Sequence, residues 1–302
     1  MYYVWLTILG FFSLLPMQVL YLLGDGIRLL LFGAFGYRRK VVEANLRHAF
    51  PDKSAAEIAA IRRQFEVIFI DTWMETIKLL TASDEWVCRR FVCDTSVFEK
   101  LQAEGRSCQL MTGHFMNWEL YNLYFPAHQP MRFIGIYTHL SSRAMERLFR
   151  RLRGRTGSVL IPTSAVREGG LKPYLDRPYI LVLGADQSPN KPMEAYWCRY
   201  LHQPTAFHAG PGRNAVKQQL AVVYTWLQRH KRGRYECHVT MLNDGKPYQN
   251  DVALILDFRN ALEATIGQQP ANYLWSHRRW KHAWQLAYAS RWVDDRHPVP
   301  EI

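Results

Sequence analysis

A continuous apolar run at Tyr179–Gly184 is the feature that most constrains the fold of this 302-residue chain. A run of this length and composition predicts a buried β-strand. Shorter apolar runs at 108–111, 131–137 and 158–162 alternate with segments of helical spacing. Strands that alternate with helices predict an α/β domain with a mixed, largely parallel sheet flanked by helices.

Helix and loop signals support this organisation. Ser54 and Glu57 form a capping-box pattern that opens a predicted helix over 54–80, whose apolar positions recur at helical spacing and indicate a core-packing role. A second amphipathic helix is predicted over 251–266. Residues 188–203, rich in proline and aromatic residues, predict a long loop that could line an acyl groove.

The N-terminal segment has the composition of a membrane anchor. Residues 1–24 carry no charged side chain, and a helix of that length can cross a bilayer core of about 30 Å, although Pro16 would kink it. Residues 27–35 form a second apolar patch, too short to span, that could rest in the same leaflet. The sequence thus predicts an anchoring segment (1–35) and a main domain (36–302), with its C-terminal side held in the cytoplasm by the basic residues that follow the first apolar stretch: Arg28, Arg38, Arg39 and Lys40. A buried core helix is the alternative. A cleaved signal peptide would want a basic start and a small-residue cleavage site, and both are missing.

Charge and cysteine content narrow the partners. The net charge of +12 favours an anionic partner, such as membrane phospholipid, a phosphorylated substrate or an acidic carrier protein. Nucleic acid is disfavoured, because neither zinc-finger spacing nor an RNA-binding aromatic motif accompanies the charge. The five cysteines are scattered and include no Cys-x-x-Cys pair, which indicates reduced thiols, and no metal-ligand spacing stands out among the histidines.

The strongest chemical signal is residues 113–119 (Gly-His-Phe-Met-Asn-Trp-Glu), directly after the predicted strand 108–111. A histidine in the turn after a strand can act as a general base, and a carboxylate that holds its other ring nitrogen fixes the tautomer and stabilises the imidazolium. The spacing predicts His114 in the turn and Glu119 in the first helical turn, where the two side chains can converge. By itself this pattern is common, and an ordinary surface histidine is the alternative.

Four stretches in the same order resemble the bacterial lipid A biosynthesis acyltransferases, the lauroyl and myristoyl late acyltransferases. Residues 113–119 are similar to the His-x-x-x-x-Asp/Glu motif of that family. Residues 37–46, followed by Ala-Phe-Pro at 49–51, resemble its N-terminal signature. Residues 184–188 (Gly-Ala-Asp-Gln-Ser) resemble its strand-end motif, and residues 273–281 its C-terminal signature.

The resemblance implies a glycerolipid-acyltransferase-like fold and a membrane-associated O-acyltransferase. Its usual donor is an acyl thioester, acyl-acyl carrier protein or acyl-CoA, and its usual acceptor is a hydroxyl of a lipid A precursor. His114 and Glu119 are then expected to form a general-base dyad at the cytoplasmic face of the inner membrane. A thioester supplies its own leaving group, so we expect no cofactor and no metal.

Four further residues are candidates for substrate binding. Asp186 follows the strand Tyr179–Gly184, at the edge where open α/β sheets bind ligands, although a turn cap is equally compatible. Arg153 and Arg155 fall where the resembled family carries an arginine-containing turn, and Arg155 matches it best. Asn117 lies within the His114 motif.

A basic helix is predicted over 142–152, with Arg147, Arg150 and Arg151 on one face. This face either is simply solvated or grips phosphate or phospholipid.

Two other functions remain compatible with the sequence. The same motif chemistry suits another glycolipid or aminolipid acceptor, because the motif reports the reaction and not the acceptor. A non-catalytic membrane lipid-binding protein of the same fold would not require both His114 and Glu119. A soluble hydrolase is disfavoured, since no Gly-x-Ser-x-Gly elbow is present.

Overall fold

The computed structural model of the protein describes residues 1–301, and a seven-stranded sheet carries its main domain. The strands are β1 (Phe91–Cys93), β2 (Cys108–Thr112), β3 (Arg132–Tyr137), β4 (Val159–Pro162), β5 (Tyr179–Gly184), β6 (Tyr196–Tyr200), β7 (Gln203–Phe207), β8 (Ala221–Lys231) and β9 (Arg234–Met241).

The strand order is β1-β9-β8-β2-β5-β3-β4, and β6 pairs with β7 as a separate antiparallel hairpin. Every pairing within the large sheet is parallel except that of β8 with β9. Strand β2, in the middle, is buried at all five positions, as expected for a parallel strand covered on both faces. The predicted mixed, largely parallel α/β fold is confirmed.

Eleven α-helices accompany the strands in the described chain. They are α1 (Tyr2–Leu14), α2 (Met17–Arg28), α3 (Arg39–Ala49), α4 (Ala55–Lys78), α5 (Asp84–Cys88), α6 (Ser96–Ala103), α7 (Glu119–His128), α8 (Arg143–Gly154), α9 (Thr163–Arg167), α10 (Gly210–Lys217) and α11 (Asp251–Gln268). A π-helical stretch, Leu29–Ala34, continues α2.

The predicted amphipathic helices form, but one predicted loop does not. Ser54 and Glu57 make both bonds of the capping box at the start of α4. Within the predicted loop 188–203, in contrast, lies β6. The hairpin turns at Leu201 and His202, both with positive φ, which is unusual for residues other than glycine or asparagine. The residues of this turn therefore gave no hairpin signal.

The N-terminal segment forms two helices rather than one kinked helix over 1–24. Pro16 drives the preceding Leu15 into an extended conformation, which ends α1. Lys78 then fastens this end, since its ammonium group donates to the carbonyl oxygens of Ser13 and Leu15 at 2.9 and 3.0 Å.

Much of the N-terminal apolar surface is exposed. Its exposed side chains include Tyr3, Val4, Ile8, Phe11, Leu14, Leu22, Leu23, Leu29 and Leu30. The stretch Met17–Ala34 is long and apolar enough to cross a membrane, and 22% of it is buried, but one such helix near an N-terminus is weak support for a span. The division at 35/36 stays a prediction, because Met17, Leu20 and Phe32 pack into the main core.

A buried ion cluster joins this segment to the sheet. Asp71 of α4 is fully buried and binds Arg229 and Arg232 at the end of β8 and in the following turn. Arg232 also pairs with Asp25 of α2 at 2.8 Å and lies over the ring of Tyr21 at 4.3 Å.

We predict that Asp71→Asn lowers the free energy of unfolding by about 3–5 kcal/mol, because it leaves two arginines without their buried counter-charge. The matched control is Glu85→Gln, which removes the exposed pair with Arg89 and should cost less than about 1 kcal/mol. Denaturant unfolding of the detergent-solubilised chain measures both. Equal effects would show that the Asp71 cluster is no more than a surface pair.

Candidate active site

His114 and Asp186 meet at the carboxyl ends of two adjacent parallel strands. Thr112 of β2 is in register with Gly184 of β5, and each functional residue follows two positions later. His114 Nδ1 lies 2.6 Å from Asp186 Oδ1, and the backbone N–H of His114 donates to Oδ2 at 2.9 Å. The carboxylate thus holds both the ring and the main chain of His114.

The other ring nitrogen of His114 is left open. Asp186 is 1% exposed, whereas the His114 side chain is 23% exposed. Within residues 1–301, Nε2 of His114 has no hydrogen-bond partner. Since the carboxylate accepts the proton of Nδ1, Nε2 is free to take a proton from another molecule.

Gly184 makes room for the imidazole. A Cβ atom at this position would lie 2.8 Å from Cε1 of His114, so any side chain would displace the ring. On another side, the ring of Trp118 meets the ring of His114 edge-on at 5.4 Å. The ring of His114 is therefore fixed by packing as well as by Asp186.

The pair shifts both titrations. Burial opposes protonation of His114, but the Asp186 carboxylate outweighs burial and raises the pKa of His114 above its usual value. Burial alone would raise the pKa of Asp186; the charge and hydrogen bonds of His114 instead hold that pKa well below its usual range. The carboxylate is therefore ionised at neutral pH.

The predicted contact between His114 and Glu119 is not formed. Glu119 begins α7, as predicted, but its carboxylate binds Arg153 of α8 through Nε at 2.8 Å and Nη2 at 2.5 Å. A two-point arginine–carboxylate pair is a strong alternative partner. Asp186, predicted to contact substrate, instead holds the imidazole.

Two other candidates also have internal partners. Arg155 donates to the carbonyl oxygens of Leu79 and Ala82, both at 2.6 Å, and contacts neither His114 nor Asp186. Of the two arginines, Arg153 is thus the one at the site.

Asn117 is 1% exposed, which leaves it no direct contact with substrate in this structure. It has a positive φ of 69°, and its amide donates to Glu75. Burial raises the pKa of Glu75 to about 7, and Glu75 also accepts hydrogen bonds from the hydroxyls of Tyr21 and Tyr235 at 2.6 and 2.8 Å. Glu75, which the sequence analysis missed, thus ties the motif turn to α2 and β9. Its only sequence signal is a carboxylate within an otherwise apolar part of α4.

The C-terminal stretch joins the motif turn directly. The N–H of Leu274 donates to the carbonyl of His114 at 3.1 Å, and that of Met116 to Asn272 at 2.9 Å. Phe115 and Tyr273 form the bridge between the two segments.

The remaining two stretches meet at the same place. Asn45 donates to the carbonyl oxygens of Trp275 and His277, and Nε2 of His277 accepts from the N–H of Ser188 at 3.1 Å. All four stretches singled out in the sequence therefore converge around His114.

Comparison with known proteins agrees with this arrangement. A family model described as bacterial lipid A biosynthesis acyltransferase matches residues 1–282. The chain belongs to the bacterial lipid A biosynthesis acyltransferase family. No curated protein matches the sequence. The predicted family and the predicted enzyme class, an acyltransferase, are confirmed, and the family implies an acyl donor and a lipid A-type acceptor.

Two apolar cavities of this acyltransferase flank His114. The first, which we call the aromatic pocket, has a volume of about 320 Å³ and contains Glu119 and Arg153 beside its apolar lining: Phe69, Trp73, Met116, Trp118, Met145 and Phe149. The second, which we call the strand-end pocket, has a volume of about 380 Å³ and lies at the ends of β3 and β5, with Leu183, Gly184 and His208 in its wall.

A third, more open cavity of about 1050 Å³ lies along α8 and is strongly basic. The arginines predicted to share one face, Arg147, Arg150 and Arg151, all line it. Arg147 also lies over the ring of Tyr2 at 4.2 Å, so the basic surface adjoins the apolar N-terminal helix α1.

We predict that Asp186→Asn lowers the pKa of His114 to or below its usual value, because burial then acts with little opposition. Glu119→Gln should lower it much less, since Glu119 is the weaker of the two carboxylate influences and is paired with Arg153. Histidine NMR titration of the solubilised enzyme measures both. His277, whose pKa burial lowers to about 4, is an internal control that should stay neutral from pH 5 upward. A larger effect of Glu119→Gln than of Asp186→Asn would show that the wrong carboxylate has been assigned.

Proposed function

We propose that the enzyme transfers a fatty acyl group from an acyl thioester, most naturally an acyl-acyl carrier protein, to a hydroxyl of a lipid A precursor, with His114 as the general base. The observation that carries this proposal is the buried Asp186 on Nδ1 of His114 together with the open Nε2. Asp186 takes the orienting role that the sequence suggested for Glu119.

The reaction then needs one proton relay. Nε2 of His114 takes the proton of the acceptor hydroxyl while its oxygen forms a bond to the thioester carbonyl carbon. When the tetrahedral intermediate collapses, the carbon–sulfur bond breaks and the imidazolium returns the proton to the departing thiolate. Asp186 stabilises the imidazolium between the two steps, as its effect on the pKa of His114 indicates.

Arg153 is suited to stabilise the negative charge on the carbonyl oxygen. Its Nε and Nη2 are bound to Glu119, whereas Nη1 has no hydrogen-bond partner within residues 1–301. Glu119 thus serves as a positioning residue for a guanidinium at the aromatic pocket. A fixed positive group at the developing oxyanion is usually among the largest contributions to acyl transfer.

The two apolar pockets suit two chains. The aromatic pocket, which contains Arg153, would hold the acyl chain of the donor next to the group that binds its carbonyl. The strand-end pocket, on the Gly184 side of His114, would hold the chain that bears the acceptor hydroxyl. The basic cavity along α8 suits phosphate groups of the acceptor or an acidic carrier.

Anchoring is proposed to be interfacial, at the cytoplasmic face of the inner membrane. Helix α1 has 13 residues, fewer than the roughly 20 that a span requires, and packs beside the basic helix α8. Exposed apolar side chains next to arginines match a segment that lies in the headgroup region of an anionic bilayer. The alternative acceptors, another glycolipid or an aminolipid, fit the same geometry.

We predict that His114→Ala reduces kcat by about 10²–10⁴-fold, since that is the usual contribution of a positioned general base. His230→Ala, which removes an exposed histidine paired with Glu236, is the control and should leave kcat unchanged. Turnover is measured with acyl thioester donor and lipid acceptor.

The two carboxylates should be separable by pH. Asp186→Asn should move the basic limb of the pH–rate profile to lower pH along with the His114 pKa, whereas Glu119→Gln should reduce kcat with that limb nearly in place. Wild-type turnover in His114→Ala would leave only the lipid-binding alternative.

We also predict that the wild-type chain stays in the membrane pellet after a high-salt wash, because salt screens charges but not apolar burial. The double variant Phe11→Glu/Leu14→Glu, at two exposed positions of α1, should be released. Val92→Glu, an equally exposed apolar position on β1, is the control and should stay bound. Release of the wild type by salt alone would assign binding to the arginines.

A further inference from the structure

A cluster of metal-binding side chains lies outside the active site, where α5 meets the end of α7. Asp84 and Cys88 are four residues apart on α5, and His128 is the last residue of α7. Nε2 of His128 lies 3.2 Å from Cys88 Sγ and 3.3 Å from Asp84 Oδ2, and the sulfur and the carboxylate oxygen are 3.9 Å apart. We propose that these three residues form a zinc site.

His128 is already oriented for this role. Its Nδ1 lies 2.8 Å from the carbonyl oxygen of Tyr124, and its ring stacks on the ring of Tyr124 at 4.3 Å. A proton on Nδ1 that is donated to a backbone carbonyl leaves Nε2 as the lone-pair nitrogen, and Nε2 faces Cys88 and Asp84. This second bond is the usual support of a histidine that binds a metal.

The spacing of the three donors fits a tetrahedral zinc ion. With Zn–N and Zn–O near 2.0–2.2 Å and Zn–S near 2.3 Å, tetrahedral angles place donor atoms about 3.3–3.6 Å apart. The three separations in the structure bracket that range, so the ion can enter without movement of the backbone. Three protein ligands leave a fourth position for water at this solvent-facing site.

The donor set favours zinc over calcium or magnesium, because a thiolate and an imidazole are not their preferred ligands. Burial and the neighbouring Asp84 raise the pKa of the Cys88 thiol, so zinc must displace the thiol proton on binding. Affinity should therefore increase with pH. Sequence spacing gave no signal of the site, since His128 follows Cys88 by forty residues.

The site would act on the fold rather than on the reaction. Helix α7 begins with Glu119 at the active site and ends with His128, so a metal at its far end would fasten this helix to α5. The competing interpretation is an ordinary ion pair of Asp84 with His128 beside an uninvolved thiol. Such a pair would bind no metal through sulfur.

The test uses the full chain in detergent, freed of metal by a chelator and titrated with Co²⁺ as a spectroscopic substitute for zinc. We expect one equivalent to bind with a thiolate-to-cobalt charge-transfer band, to be displaced by Zn²⁺, and to raise the unfolding temperature. Cys88→Ser should abolish the band and His128→Gln should weaken binding at least tenfold. Cys93→Ser, at the other partly exposed thiol, is the matched control and should change neither.

Two results would overturn the proposal. One is metal binding without the charge-transfer band, and the other is a band that survives in Cys88→Ser. Circular dichroism of both variants, which alter partly exposed side chains, checks that they are folded. The readouts are independent of acyl transfer, so failure of the zinc site leaves the proposed reaction untouched.

Discussion

The geometry of the active site depends on the parallel pairing of β2 with β5. Because Thr112 and Gly184 are in register, His114 and Asp186 leave the sheet at the same level and meet at 2.6 Å. The rest of the site follows from this pairing. Gly184 must lack a side chain because the imidazole occupies that space, and the C-terminal segment bonds to the backbone of the turn that the pair holds in place.

Helix α4 fixes the turn from the opposite side. Its buried carboxylate Glu75 accepts hydrogen bonds from Asn117, Tyr21 and Tyr235, and its neighbour Asp71 binds two arginines of the β8–β9 hairpin. Buried acids are costly unless they are fully paired, so these contacts specify one arrangement of α2, α4 and the hairpin. The same helix therefore joins the exposed apolar N-terminus to the turn that carries His114.

Local sequence patterns predicted many of the elements around the site. The buried strands, the capping box of α4 and the start of α7 at Glu119 follow from periodicity and capping, which act over a few residues. The hairpin β6–β7 was missed because its turn uses Leu201 and His202 with positive φ, conformations that neither residue type favours. The N-terminal segment differs from the prediction because Pro16 ends a helix instead of kinking it.

By itself, the sequence determined that a histidine follows a buried strand, that a glutamate follows it by five residues, and that the chain has the four stretches of a lipid A acyltransferase. Only the tertiary structure decided which carboxylate holds the imidazole. Asp186 lies 72 residues from His114 and becomes its neighbour through the strand order, while Glu119 is drawn to Arg153, which α8 supplies. Local spacing cannot encode strand order or the competition between two partners, because both depend on contacts between residues far apart in the chain.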